Sequence, residues 1–426
     1  MENSIKESFK LLIKEFHSED LPQTFERELE VPILSNKIIT IFGPRRSGKS
    51  FYFYTLIKKL LNENIPKDRI LYINFEDDRL LPLSFKDLNF LLEAYFELYP
   101  ENKEKEVFFF FDEIQNIDEW EIFIRRVYDK EKSKIFITGS SSELSSFEIS
   151  THLRGRTLSY GLYPLNFTEF LIFNGQKPRK DIEYSKERFK VKQLLEEYLK
   201  FGGFPEVVLE KDAKLKNKIL SEYFNLLVYK DLAERFSISN TALLKELLRF
   251  LFTNTTSLFS VNSYFKSIKQ NIPVSRQTLS EYISFIQETD YFMLLPIFSY
   301  SLKVQKTNHK KIICLDNGLR NAVSFKFSDD EGKMSENLVG SALKKQEKEF
   351  FYWKNKHEVD FIIKEGLELQ AVNVSIGDTI EKRERNSLLE FKEKFKNVKE
   401  LILITKDTEK IVKGIKYVPL WKWLLR

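Results

Sequence analysis

The stretch "GPRRSGKS", residues 43–50, follows the apolar run "KIITIF" and opens the helical pattern "KSFYFYTLIKKLLNEN". It matches G-x-x-x-x-G-K-[ST] in full, in the strand-then-helix setting that the motif requires. Gly43 and Gly48 let the backbone curl so that its N–H groups point inward at phosphates. Pro44, Arg45, Arg46 and Ser47 complete the loop, with the two arginines adding charge to its rim. Lys49 is expected to reach β- and γ-phosphate oxygens, and Ser50 to place its hydroxyl on magnesium.

Outward from this loop the chain alternates strand and helix. "KIITIF", "RILYINF", "EVFFFFDE", "KIFITGS" and "TLSYGLY" read as five strands, and helical patterns between them predict a parallel sheet covered on both sides. The run "EVFFFFDE" is apolar without alternation, as expected of a strand buried on both faces. Ser84 and Asp87 read as a capping box, and Asp118 as the cap of "EWEIFIRRVYDK". Ahead of the sheet, residues 3–17 place Ile5, Phe9, Leu12, Ile13 and Phe16 on one helical face, expected to pack on the neighbouring domain.

Asp112 and Glu113 close the third strand, at the carboxyl edge where open α/β sheets bind ligands. Asp112 suits holding magnesium through water, and Glu113 suits orienting an attacking water, because phosphoryl transfer needs positioning and charge neutralisation. The expectation is that this pair faces the phosphate loop from a neighbouring strand. Thr138 and Ser140 arrive at the same edge as candidates for sensing a γ-phosphate. "LRGRTLSY" brings Arg154 and Arg156 just before the last strand. Either could reach a γ-phosphate in a neighbouring subunit, which would make the working form a homo-oligomer. His152 beside them is expected at the surface.

Composition bounds the rest. With 426 residues, 42% hydrophobic and 31% charged, the chain is that of a globular protein of roughly two to four domains. No stretch approaches the roughly 18 uninterrupted apolar residues of a membrane span, so no membrane partner is expected. The start "MENSIKESFKLLIKEF" carries acids and no small-residue cleavage site. The single cysteine, Cys314, excludes an intrachain disulfide, and four histidines leave no structural zinc site. A cytoplasmic location is expected. The net charge of +5 permits nucleic-acid contact without arguing for it.

After Pro164 the strands give way to short helical patterns, interrupted by "NGQKPRKDIEYSK" and "FGGFPEVV". Two helices, "LLKELLRFLFTN" and the Ser275-capped "SRQTLSEYISFIQET", precede strands "YFMLLPIF" and "KKIICLD", joined by the basic loop "SLKVQKTNHK". That order resembles a winged helix. "SFKFSDDEGKMS" is the best linker, and a last α/β unit follows, with "EVDFIIKEGLELQAVNVSI" as a hairpin and "KELILIT" as a further strand. The expected divisions are a helical segment at 1–36, the sheet core at 37–163, helices at 164–239, the winged helix at 240–325 and a small α/β domain at 326–426. "WKWLLR" is expected to pack a terminal helix, and Cys314 to lie in the core.

The succession "GPRRSGKS", "FFFFDEIQNIDEWE", "ITGSSSELSS", "HLRGRTLSYGLYPLNFTEFL" and "FGGFPEVVL" resembles the archaeal ATPase family, AAA+-like proteins of the STAND-type P-loop group, over nearly the whole chain. The resemblance implies a P-loop NTPase core of α/β class with a helical lid, and ATP with magnesium as cofactors. It implies Glu113 as the catalytic acid and "GGFP" as the lid motif, with Pro205 near the adenine. The C-terminal domain is similar to PD-(D/E)XK nucleases, with Glu336 on a helix and Asp360 on a strand. Where relatives carry Glu-x-Lys, this chain reads Ala371-Val372-Asn373. The missing carboxylate removes a magnesium ligand and the missing lysine removes the charge that activates water. Glu368 could replace them only through a register slip, which would turn it to the other face.

Three readings of the hydrolysis follow. In the first, the nucleotide state repositions lid and winged helix as a switch. In the second, an ATP-dependent protein of a mobile-element or defence system binds double-stranded DNA, with "SRQTLSEYISF" in a groove and Lys303, Lys306, Lys310 and Lys311 on phosphates. In the third, ATP licenses a nuclease, a reading that the lost Glu-x-Lys weakens.

Overall fold

The computed structural model describes residues 2–140, 151–177, 182–324, 330–377 and 380–426. Residues 141–146 of the serine-rich motif, 178–181 of the polar loop and 325–329 of the expected linker lie outside them. The chain forms two compact units, Met1–Tyr163 and Pro164–Arg426.

In the first unit, α1 (Glu2–Ser18) precedes β1 (Ile38–Gly43), α2 (Lys49–Asn62), β2 (Ile70–Asn74), α3 (Leu88–Leu98), β3 (Val107–Asp112), α4 (Trp120–Lys130), β4 (Ser133–Ser140) and β5 (Thr157–Gly161). The five strands pair in the order β2-β3-β4-β1-β5, all parallel. The four phenylalanines of β3 explain how the layers hold together. Side chains alternate across a strand: Phe109 and Phe111 pack with α1, α3 and α4, and Phe108 and Phe110 pack with α2. Phe110 stacks on Phe136 of β4 at 4.4 Å between ring centres. Each such buried ring contributes about 1.5–3 kcal/mol.

Phe9 and Ile13 of α1 are fully buried against this sheet layer, so the first helix packs as its periodicity predicts. The capping expectations divide. Of the Ser84–Asp87 box only one half forms, the Asp87 carboxylate accepting the Ser84 N–H at 2.9 Å, and α3 starts later, at Leu88, with no side-chain cap. Helix α4 is preceded by Glu119 in a left-handed conformation, with no side-chain cap from Asp118. The turn that carries the acids into α4 leaves Asp118 one residue too early to act.

The second unit begins with α5 (Phe167–Phe173), α6 (Glu187–Phe201), α7 (Pro205–Leu209) and α8 (Ala213–Leu226), which continues as a π-helix, Leu227–Glu234. Then come α9 (Thr241–Thr253), β6 (Leu258–Phe259), α10 (Val261–Ile268), α11 (Arg276–Glu288), β7 (Phe292–Leu295), α12 (Leu302–Thr307), β8 (Lys310–Cys314) and α13 (Asn317–Val323). Ser275 caps α11 through the Thr278 N–H at 3.0 Å. Strands β6, β8 and β7 form an antiparallel sheet in that order. The basic connection between β7 and β8 is not a plain hairpin loop, because Ser301 caps the short helix α12 within it.

The chain ends with α14 (Glu331–Lys345), β9 (Glu349–Lys354), β10 (Glu358–Glu365), β11 (Glu368–Ser375), α15 (Lys382–Lys394), β12 (Val398–Thr405), β13 (Lys410–Val412), β14 (Ile415–Pro419) and α16 (Leu420–Leu424). Its six strands run in the order β13-β14-β12-β11-β10-β9, with β10 and β11 an antiparallel hairpin and β12 parallel to β11. Leu420 and Trp421 of α16 are buried beneath this sheet.

Candidate active site

The loop at residues 43–50 joins β1 to α2 at the carboxyl edge of the sheet. Gly48 takes φ 97°, a left-handed conformation that glycine adopts without strain. Gly43 is constrained differently: a Cβ there would fall 2.1 Å from the Leu162 carbonyl oxygen, so its glycine is needed for close approach of the chain after β5. Ser47 Oγ is buried and has no hydrogen-bond partner among the described residues. Lys49 is buried, with its ammonium 3.3 Å from the Gly43 carbonyl and 3.5 Å from that of Pro44. A curled loop with an orphaned hydroxyl and a buried ammonium fits a phosphate ligand.

The acids do not come from the strand next to the loop. Strand β4 lies between β1 and β3, with Gly43 beside Ser140 and Phe111 beside Ile137, so Thr138 and Ser140 separate cradle and acids. Periodicity identifies strands but not their lateral order. Long side chains bridge the gap: Lys49 Nζ is 3.3 Å from Glu113 Oε1, and Ser50 hydrogen-bonds the Asp112 carboxylate.

Asp112 is fully buried. Burial, followed by the adjacent Glu113 charge, raises its pKa above the usual aspartate value, although hydrogen bonds from Ser50, Thr138 and Tyr72 oppose the shift. Tyr72 of β2 donates to Asp112 Oδ2 at 2.9 Å and receives a hydrogen bond from Tyr54 at 3.2 Å. Glu113 has φ 52°, a left-handed conformation that a residue with a Cβ adopts at some cost. Its N–H donates to Thr138 Oγ1 at 3.0 Å, and the same hydroxyl donates to Asp112 Oδ1. Thr138 is therefore a strut tying both acids to β4 rather than a side chain facing an open site. Burial raises the Glu113 pKa, but the Lys49 charge and the Gln115 hydrogen bond at 2.6 Å outweigh it and hold the carboxyl below its ordinary value. Adjacent acids thus have opposite protonation tendencies.

Among the remaining candidates, Arg45 pairs with Glu76 at 3.3 Å, and Arg46 is exposed with φ 66°. Arg156 is held by Asp129 at 3.1 Å, whereas Arg154 is exposed. His152 lies 3.7 Å from Glu121. Sequence reasoning missed Tyr72, Gln115 and Arg27, whose guanidinium donates to the Ser47 carbonyl at 3.0 Å and the Tyr163 carbonyl at 2.7 Å.

In the second unit, Pro205 opens α7. The preceding glycines serve a turn–turn contact: the Gly203 N–H donates to Asp316 Oδ2 at 2.7 Å, while a Cβ on Gly318 would meet the Phe201 carbonyl oxygen at 2.0 Å. Cys314 is buried, and burial pushes its thiol up to about 11. The predicted phosphate-binding lysines separate. Lys303 and Lys306 are exposed on α12, Lys310 is half-buried, and Lys311 is fully buried. Alternation along β8 turns the Lys311 ammonium inward, where Glu336, Glu358 and Asp360 surround it. This removes Lys311 from the proposed nucleic-acid surface.

Glu336 and Asp360 are brought together as the sequence suggests. One step beyond the Phe361–Val372 pair, Asn373 lies opposite Asp360 and its Oδ1 accepts the Asp360 N–H at 3.0 Å. Asn373 thus begins the stretch facing Asp360, with Ser375 two residues on; Ala371 does not begin it. Glu368 pairs with Lys399 at the far end of the hairpin, at 2.7 Å. Among the described residues, no group of three or more His, Cys, Asp or Glu side chains is arranged to hold a metal ion, and no helix is long and apolar enough to cross a membrane.

Residues 35–171, which contain the sheet edge just described, match the AAA domain family. Residues 192–330 and 331–423 match two domains of unknown function, DUF8612 and DUF4143. The fold and site define an AAA-type ATPase domain. Uncharacterized protein MJ1544 of Methanocaldococcus jannaschii is 36% identical over 422 residues, covering 95% of this chain and 91% of that protein. An uncharacterized Haemophilus influenzae protein is 32% identical, covering 91% and 94% respectively. The chain belongs to the same family as these proteins, and its residues 35–171 form an AAA domain. Among solved structures, the Walker-type ATPase PABY2304 of Pyrococcus abyssi aligns with a TM-score of 0.45 at 13% identity, covering 71% of this chain and 99% of that one.

Proposed function

We propose that the chain hydrolyses ATP with magnesium and uses its nucleotide state to reposition the helices after residue 164 and the three-stranded unit at 240–325. The observation that carries this reading is the convergence of Lys49, Ser50, Asp112 and Glu113 on one edge of the parallel sheet. The loop N–H groups, Ser47 and Lys49 bind the triphosphate, and Ser50 with Asp112 holds magnesium. Magnesium, when bound, neutralises charge on the β- and γ-phosphates. Glu113 orients the attacking water: its depressed pKa keeps it ionised, and its Lys49 partner is the charge that a phosphate would recruit. Thr138 fixes the relative placement of the acids. Pro205 belongs near the adenine in this reading, and exposed Arg154, or Arg156 once released from Asp129, completes the site of a neighbouring copy in a homo-oligomer.

The order helix, strand, helix, helix, strand, short helix, strand across 241–314, with the three strands in one antiparallel sheet, supports a winged-helix reading. Duplex DNA is its proposed partner, through α11 and the exposed Lys303 and Lys306. The test of the central reading is a pair of substitutions. Lys49→Ala abolishes nucleotide affinity, and Glu113→Gln retains affinity while lowering turnover about 10²–10⁴-fold. Unchanged turnover in both variants would overturn the assignment.

A further inference from the structure

Beyond the nucleotide site, the most unusual charge arrangement in the second unit surrounds Lys311. Its side chain is 1% exposed, and its ammonium lies 2.8 Å from Glu336 Oε1, 2.8 Å from Glu358 Oε1 and 3.2 Å from Asp360 Oδ1. A lysine ammonium has three N–H donors and no acceptor, so three carboxylate oxygens satisfy it completely. Tyr352 and Phe361 place their ring centres 6.0 and 5.7 Å from the same nitrogen, walling one side with apolar surface.

Asp360 is fixed independently of the lysine. Asp360 Oδ2 accepts the Val374 N–H at 2.9 Å. Asn373, opposite Asp360, directs its amide nitrogen to Glu384 Oε2 at 3.0 Å and Ser387 Oγ at 2.8 Å. Strand β11 therefore offers Asp360 an amide rather than a further charge. Three carboxylates face one buried ammonium, with Lys354 at 3.2 Å from Glu358 as a second, half-exposed cation. The three carboxylates are only partly buried, and such an excess of negative charge in partly buried surroundings favours protons or cations. Burial and then Asp360 push the Glu336 carboxyl up to about 8.

We propose that the Lys311 ammonium is an internal substitute for a divalent cation: it occupies the point on which Glu336, Glu358 and Asp360 converge and thereby excludes a metal from it. A hard divalent ion takes carboxylate oxygens at about 2.0–2.6 Å, so Glu336 and Glu358 need to move inward by roughly 0.2–0.8 Å and Asp360 by roughly 0.6–1.2 Å to bind one. Removing the ammonium while keeping its apolar stem converts the cluster into a metal site. The ammonium also joins β8 of the small sheet to α14 and β10, fixing these elements without an exchangeable ion.

The test uses the full, nucleotide-free chain and Mn²⁺ as the probe, with bound ion measured by equilibrium dialysis. The parent is expected to bind no Mn²⁺ that Asp360→Asn abolishes. Lys311→Met is expected to gain one bound Mn²⁺ per chain, lost again when Asp360→Asn is added. Mn²⁺ binding by the parent that Asp360→Asn abolishes would overturn the proposal, as would a folded Lys311→Met chain that binds none. Should Lys311→Met not fold in metal-free buffer, the proposal requires millimolar Mn²⁺ to restore its cooperative melting transition. Absence of that rescue would also overturn it.

Discussion

Gly202 and Asp316 occupy a space that admits no larger pair. A Cβ on Gly202 would lie 2.0 Å from Asp316 Oδ1, and Gly202 itself takes φ 72° and ψ −160°, a region open essentially to glycine alone. Asp316 also caps α13 through the Leu319 N–H at 3.0 Å. One carboxylate thus holds two turns together. Gly202→Ala is expected to destabilise the second unit by roughly 2–4 kcal/mol through backbone strain and overpacking. The midpoint of a urea unfolding curve measures this, and an unchanged midpoint would show that the turn relaxes freely.

Asp112 gives a pH dependence whose sign is fixed. Its folded pKa lies above its unfolded value because of burial and then the Glu113 charge. The folded state therefore binds more protons through the interval between the two values. Stability from this group is present below the ordinary aspartate pKa and is lost as pH rises through the folded value. Asp112→Asn removes that loss. At neutral pH, the nucleotide-free variant is expected to exceed the parent in stability by roughly 1–3 kcal/mol, with the difference shrinking as pH falls toward about 4. Thermal melts across that pH range would show the difference, and a gap that widens on acidification refutes the assignment.

Tyr72 supplies a positioning test that separates metal from nucleotide. Its hydroxyl orients Asp112 at 2.9 Å but belongs to β2, outside the phosphate loop. Tyr72→Phe is expected to raise the magnesium concentration for half-maximal turnover several-fold, leaving magnesium-free nucleotide affinity unchanged. The buried carboxylate also loses a hydrogen bond, worth about 1–3 kcal/mol of stability. Magnesium titrations of turnover, paired with nucleotide binding in chelator, distinguish this role from a general loss of folding.

For duplex DNA, the salt slope is the discriminating measurement. Each phosphate contacted contributes about −0.9 to the slope of log affinity against log salt. Lys303→Ala combined with Lys306→Ala should reduce the slope by about 2. An unchanged slope would place any DNA contact elsewhere on the chain.

The features legible in the sequence were those written into contiguous residues. Four phenylalanines in a row announce a strand buried on both faces, and the spacing from Gly43 to Ser50 defines a loop at its strand–helix junction. Strand order was not legible, because periodicity reports which face is apolar and not which strand lies alongside. Tyr72 escaped notice because one tyrosine in an apolar run has no spacing signature. The Gly203–Asp316 hydrogen bond spans 113 residues, beyond any local pattern. Lys311 carried a usable signal: adjacent lysines entering a strand must point to opposite faces, so Lys310 and Lys311 could not both line an outer surface.

Arg27 has a practical bearing on how this ATPase domain is delimited. Its two carbonyl contacts reach Ser47 and Tyr163, and the Tyr52 hydroxyl reaches back to the Leu29 carbonyl at 2.8 Å. The leading 36 residues are consequently a brace for the loop at residues 43–50, not a dispensable preface. Trimming a recombinant fragment to begin at Lys37 would strip Phe9 and Ile13 from the core over one face of the sheet and leave the loop at residues 43–50 without its anchor.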